Sequence, residues 1–63
     1  MTPIKILDTE GGCIELKEVY GFGAPALLVG IEQESDWCGI NLSVVDAESL
    51  ARWLNAFVAE KSQ

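Results

Sequence analysis

The sequence has no histidine and only two cysteines, two prolines and four basic residues in 63 positions. Without histidine there is no Cys/His nucleophile, and Cys13 and Cys38 lack the spacing and number of ligands of a thiolate zinc site. No apolar run reaches the roughly 18 residues that span a bilayer, and the first residues do not resemble a secretion signal. We therefore expect no metal, no cofactor, no membrane association and a cytoplasmic location.

The two cysteines have two interpretations. Free cysteine packs as a small hydrophobic residue, and disulfides are rare in the cytosol. The sequence therefore favours two buried free thiols. A disulfide between Cys13 and Cys38 is the alternative.

Basic residues are scarce relative to acidic ones, with four against ten and a formal net charge of −6. This charge repels nucleic-acid phosphates and anionic membrane surfaces, which basic clusters attract. Direct binding to nucleic acid or to membranes is therefore disfavoured. The natural complement is a larger protein with a basic surface, such as a nucleic-acid-binding protein.

Hydrophobic residues make up 49% of the chain, which is typical of a folded protein rather than a disordered one. The length allows one domain, residues 1–63. A chain this short buries only about 60% of the surface that its unfolded form exposes. Self-association into a homodimer would add burial and is a second possibility.

Alternating apolar and polar residues predict four short antiparallel strands, followed by one C-terminal helix. The glycines of residues 21–25, together with Pro25, predict a loop between the second and third strands. The third strand is apolar on both sides, which is typical of a central strand. The predicted fold is α+β in the order β-β-β-β-α. The predicted strands are residues 4–7, 13–20, 26–32 and 37–45.

The predicted helix covers about residues 47–60, with Asp46 as its N-cap. At 100° per residue, Leu50, Leu54 and Phe57 fall within one narrow arc, which predicts a stripe that packs on one face of the sheet. Glu48 and Arg52 are four residues apart, in the order that favours an ion pair on the solvent side.

One helix covers only one face of a four-stranded sheet, so the other face is predicted to be open. Leu28 is expected on that face, near Trp37 and near Tyr20 or Phe22. Exposed leucine and aromatic side chains often mark an interface, although isolated exposed residues are common. Trp53, at the edge of the helix stripe, is a further candidate contact. The predicted apolar contacts for a partner or a dimer are Leu28, Trp37, Trp53 and Phe22.

Glu32, Glu34 and Asp36 alternate along the predicted tip between the third and fourth strands. In an extended segment their carboxylates would line one side at spacings of roughly 6.6 to 6.8 Å, an array able to mimic nucleic-acid phosphates. Glu10 and Glu15 could extend this array. The alternative is an ordinary solvated turn whose charges keep the hairpin soluble.

Acid/base catalysis needs a carboxylate in a water-poor pocket, for which so short a chain has little room. We therefore expect no enzyme activity but an interaction module, most simply an inhibitor-like protein or nucleic-acid mimic on a basic surface. In size and charge the chain is similar to small acidic inhibitors of phages and other mobile elements, including some anti-CRISPR proteins, although no motif assigns a family. A homodimeric accessory or assembly module is the alternative, and a small enzyme or ligand carrier is a third class.

Overall fold

The structure is a computed structural model that describes residues 1–21 and 23–62. The strands form one antiparallel sheet in chain order, so β2 and β3 are central and β1 and β4 are edges. A C-terminal helix follows and contacts β3 and β4. The predicted α+β fold and the central position of the third strand are confirmed. The elements are β1 (Ile4–Leu7), β2 (Cys13–Gly21), β3 (Ala24–Gln33), β4 (Asp36–Leu42) and α1 (Val44–Lys61).

The strand register divides the side chains between two faces of the sheet. Residues directly opposite each other in an antiparallel ladder point to the same face. As predicted, Leu27, Val29 and Ile31 share one face and Leu28 lies on the other. We call the first the apolar face; its apolar side chains are Ile4, Ile6, Ile14, Leu16, Leu27, Val29, Ile31, Cys38, Ile40 and Leu42. Glu18 and Tyr20 lie on the same side, towards the β2–β3 connection, so Tyr20 does not share a face with Leu28 as predicted. We call the second the polar face, because it carries the charged residues Lys5, Glu15, Lys17 and Glu32; it also includes Leu7, Cys13, Val19, Ala26, Leu28, Trp37 and Asn41.

Pro25 lies inside β3, although the sequence predicts a loop at residues 21–25. It pairs with Tyr20 of β2, but β4 ends at Leu42 opposite Leu27, so no strand lies on the other side of Pro25. Proline has no N–H to donate, which is tolerated where a strand is paired on one side only. The loop prediction is therefore wrong at Pro25, and also at Gly21 and Ala24, which pair with each other at the ends of β2 and β3.

The helix begins three residues earlier than predicted, and its N-cap is Ser43 rather than Asp46. The hydroxyl of Ser43 accepts a hydrogen bond from the backbone N–H of Asp46 at 3.2 Å. Asp46 instead lies in the first turn, where its negative charge meets the positive end of the helix dipole. The predicted ion pair between Glu48 and Arg52 is confirmed.

The helix packs on the sheet through its first turn. Val44 and Ala47 lie beside Leu16 and Leu27 around a groove of about 390 Å³. Beyond Ala47 every described residue of α1 is exposed. A single residue, Ser43, separates β4 from α1, whereas connections between elements more commonly have about four to six residues.

The predicted packing of the helix stripe on the sheet is not formed in the single chain, because the one-residue connection at Ser43 does not bring the helix back over the sheet. Leu54 and Phe57 are 46% and 48% exposed, because the helix leaves the sheet without turning back over it. We call Leu50, Leu54, Phe57 and the adjoining Trp53 and Val58 the helix stripe.

The chain exposes far more surface than a folded monomer of its size. Its accessible surface is 5418 Å², against roughly 4,000 Å² expected for its mass. Its radius of gyration is 13.3 Å, against roughly 10.6 Å for a compact chain of this length. No hydrophobic side chain among the described residues is buried. Of the fifteen large hydrophobic side chains that are exposed in residues 1–21 and 23–62, nine belong to the apolar face or the helix stripe.

Candidate protein-binding surfaces

Two acidic turns lie at the same end of the sheet. In an antiparallel sheet whose strands follow chain order, the β1–β2 and β3–β4 connections share one end, and the β2–β3 connection lies at the other. Half of the ten acidic residues of the chain therefore lie together. We call this set the acidic end; it consists of Asp8, Glu10, Glu32, Glu34 and Asp36.

The two turns adjoin at Gly12, one of the few buried residues. The backbone N–H of Asp8 donates to the carbonyl of Gly12 at 2.7 Å, which closes the first turn. A methyl group added to Gly12 would lie 3.3 Å from the carbonyl oxygen of Glu32 and 3.8 Å from Oδ2 of Asp8. Glycine at this position therefore lets the first turn approach the end of β3.

A groove of about 440 Å³ runs beside the acidic end. Asp8, Gly12 and Glu32 lie along one part of it, and Ile6, Ile14 and Ile31 of the apolar face along another. This arrangement places carboxylates at the rim of an apolar surface. A partner could therefore meet charge and apolar area together.

The straight acidic array predicted for Glu32, Glu34 and Asp36 is not formed. Glu34 and Ser35 have φ angles of 52° and 72°, so they form a tight two-residue turn of the I′ type. Gln33 pairs with Asp36 across that turn, which places Glu32 on the polar face and Asp36 on the side of the apolar face. The carboxylates thus surround the tip instead of lining one side.

Glu15 lies outside the two acidic turns, in β2, on the polar face. It is half-buried and lies opposite Lys5 in the β1–β2 ladder. A small groove of about 80 Å³ connects it with Glu32 and Trp37. The basic neighbour makes Glu15 a weaker candidate for binding a basic partner than the carboxylates of the turns.

The predicted apolar contacts do not form one surface. Leu28 and Trp37 share the polar face, where the indole of Trp37 lies against Gly30 and Gly39. Trp53 belongs to the helix stripe and stacks on Phe57, with ring centroids 5.8 Å apart and planes 7° from parallel. Phe22 lies outside the described residues.

Cys13 and Cys38 are free thiols on opposite faces of the sheet, so no disulfide joins them. Cys13 is half-buried and Cys38 is exposed, which contradicts the predicted burial of both. Cys38 lies opposite Ile31, so it extends the apolar face to the edge strand β4.

Residues 1–21 and 23–62 contain no group of three or more histidine, cysteine or acidic side chains placed to hold a metal ion. The same part of the chain has no helix long and apolar enough to cross a membrane. No family model, curated protein or solved structure matches the chain.

Sequence reasoning missed the open apolar face, because it assumed that the C-terminal helix would cover it. The available signal was Ser43 itself, a good N-cap residue with an acidic residue three positions later, which indicates that a helix begins directly after Leu42. Such a start leaves no room for a loop that reverses the chain.

Proposed function

We propose that the protein is a non-catalytic interaction module whose acidic end occupies a basic surface of a larger protein. The observation that carries this proposal is the convergence of two acidic turns at one end of the sheet. Neither turn contains a basic residue. Both turns are exposed apart from Gly12, so a partner has direct access to their carboxylates.

The carboxylates of the acidic end are available to a partner. The ion pairs among the described residues join the amino group of Met1 to Glu18 and Arg52 to Glu48. Neither pair involves the acidic end. A cluster of one sign accelerates encounter with an oppositely charged surface, and salt weakens that attraction.

A nucleic-acid-handling protein is the class of partner that we favour, because its groove is basic and adapted to regularly spaced anions. In this mode the protein acts as an inhibitor that competes with nucleic acid, as small acidic proteins of phages and mobile elements do. The carboxylates surround a tip, which suits insertion into a concave basic site better than alignment along a straight phosphate backbone.

The absence of catalysis is part of the proposal. General acid/base chemistry depends on a carboxylate whose surroundings are poor in water. Nine of the acidic residues are exposed and the tenth, Glu15, is half-buried. A cytoplasmic location, which the free thiols of Cys13 and Cys38 support, completes the proposal.

Capture of partners from a native host lysate tests this function. We expect the immobilised protein to retain a basic nucleic-acid-handling protein that elutes at moderate salt and is identified by mass spectrometry. A variant with Glu10→Gln and Glu34→Gln, one from each acidic turn, should lose most of this capture.

The matched control carries Glu48→Gln and Glu60→Gln, which remove the same charge from the helix. This control should retain the partner. Equal loss in both variants would show that net charge, and not the acidic end, attracts the partner. Recovery of no basic protein would contradict the proposed function.

A further inference from the structure

The apolar face of the sheet lacks a cover in the single chain. Four of its isoleucines, spread over β1, β3 and β4, are between 50% and 57% exposed. They are Ile4, Ile6, Ile31 and Ile40. Together with the half-buried residues between them they form a continuous apolar layer across all four strands. A monomeric protein rarely leaves a contiguous apolar surface of this extent in water.

The helix stripe is also exposed and has no surface to pack against in the single chain. It contains the apolar residues of one side of α1, and Trp53 and Phe57 stack on each other without covering the rest of the stripe. A helix with an apolar stripe of this width normally lies against a sheet or another helix. The chain therefore has both halves of a helix-on-sheet layer, yet they remain apart.

The connection between the two halves keeps them apart. Only Ser43 lies between Leu42 of β4 and Val44 of α1, and its backbone is extended, with φ −66° and ψ 167°. One residue in this conformation does not reverse the chain over the sheet. A short hinge that prevents an element from packing within its own chain favours packing on another copy.

The exposed area matches the requirement of a stable dimer. The chain shows about 1,400 Å² more surface than a folded monomer of its mass. If two copies cover this excess, the pair buries roughly 2,800 Å², which lies within the range of obligate homodimers, about 2,000 to 5,000 Å².

We propose that the protein forms a two-fold symmetric dimer in which the helix stripe of each copy packs on the apolar face of the other. The groove of about 390 Å³ beside Val44 and Ala47 continues this apolar face at the base of the helix. The acidic turns lie at the end of the sheet, so the pair presents two acidic ends. This inference goes beyond the proposed function and does not depend on it.

The mass of the full chain in solution is the first test. Sedimentation equilibrium at micromolar concentrations should give twice the mass of one chain. A monomer at these concentrations would overturn the proposal.

Two variants separate the halves of the interface. Phe57→Glu places a charge in the helix stripe, and Ile40→Glu places one on the apolar face. Each should weaken dimerisation by about 30-fold or more, because the charge would lose its water at the centre of the contact. Two control variants add the same charge elsewhere. Asn55→Glu places it on the side of the helix away from the stripe, and Asn41→Glu places it on the polar face of the sheet. These control variants should remain dimeric, and loss of the dimer in them to the same degree would overturn the proposal.

Mixing the two disrupted variants tests the reciprocal arrangement. In a mixed pair, the unaltered helix of the Ile40→Glu chain meets the unaltered apolar face of the Phe57→Glu chain, so one of the two contacts is free of both substitutions. We expect a heterodimer, together with recovery of the circular dichroism signal if either variant alone is unfolded. In a mixed pair, sheet-to-sheet or helix-to-helix contact would always include one substituted surface, so these arrangements predict no heterodimer. Absence of the heterodimer would therefore overturn the proposal.

Discussion

The indole of Trp37 covers Gly30 on the adjacent strand: a methyl group at Gly30 would lie 3.0 Å from both Cζ2 and Nε1 of the ring. Gly39, directly opposite Gly30 in the ladder, lies under the same ring. Glycine weakens a strand interior, and an aromatic ring laid across it restores the lost packing. Trp37 therefore supports the middle of the β3–β4 ladder with one side of its ring, while the side chain remains 56% exposed on the polar face.

Gly39→Ala should displace the indole of Trp37 and lower the free energy of unfolding by about 1 kcal/mol, since the added methyl group and the ring compete for one space. In a Trp37→Ala background the same change should be neutral or stabilising, because alanine reduces the freedom of the unfolded chain. Urea unfolding of the four proteins of this cycle provides the measurement. An equal cost in both backgrounds would contradict the contact.

Ser43→Ala should cost about 0.5 to 2 kcal/mol of stability, because the N–H of Asp46 loses its acceptor at the start of the helix. Ser43→Asp retains an acceptor and should stay near wild type. Ser49→Ala, in the helix interior, serves as the control and should be neutral or slightly stabilising. Denaturant midpoints followed by circular dichroism distinguish these cases, and equal midpoints for the two alanine variants would argue against the cap.

Ser35→Gly should stabilise the protein by about 0.4 to 1 kcal/mol, because glycine adopts the positive φ of this turn without steric cost. The change leaves the charges of the acidic end intact, so capture of a basic partner should be unaffected. Replacing Ser49 by glycine in the helix should instead destabilise by about 0.5 kcal/mol. A lower urea midpoint for Ser35→Gly would be inconsistent with the I′ turn.

Salt should act in opposite directions on the two proposed interactions. Each chain carries a net charge of −6, so salt reduces the repulsion between two copies and should lower the dimer dissociation constant. The same salt screens attraction between the acidic end and a basic partner and should weaken that complex. Sedimentation and partner titration at low and high salt measure both. A dimer that dissociates as salt rises would indicate ionic contacts instead of an apolar interface.

Cys38 provides a probe of the apolar face. In a Cys13→Ser background, its reaction with a maleimide should slow as protein concentration rises, because a second copy covers the face on which it lies. The Phe57→Glu variant should react at a rate that does not depend on concentration. A concentration-independent rate in the parent protein would place Cys38 outside the interface.

Local patterns were sufficient to predict the strands, because alternation such as that of Ile14, Glu15 and Leu16 records which face is apolar. The end of the last strand was harder to predict. Val44 and Val45 are β-branched and favour a strand, but the Ser43 cap begins a helix at that point. Pro25 was misassigned because its tolerance depends on where β4 ends, which is a property of the sheet and not of the local sequence.

The composition of the candidate site was predictable from the sequence, but its arrangement was not. The acidic residues of the β3–β4 tip were identified, yet their straight array depended on an extended backbone that the positive φ of Glu34 and Ser35 excludes. Their proximity to Asp8 and Glu10 follows from the sheet topology. The open apolar face depends on the direction of the helix, which one junction residue decides.

Gly12 and Gly30 are the buried residues of the described chain, and neither has a side chain to contribute to a core. If two copies pair as proposed, the side-chain interior forms only when they meet, so refolding should follow second-order kinetics. Dilution would then lengthen the time that each chain spends open to proteases. In the cell, abundance itself would set how much of the protein persists.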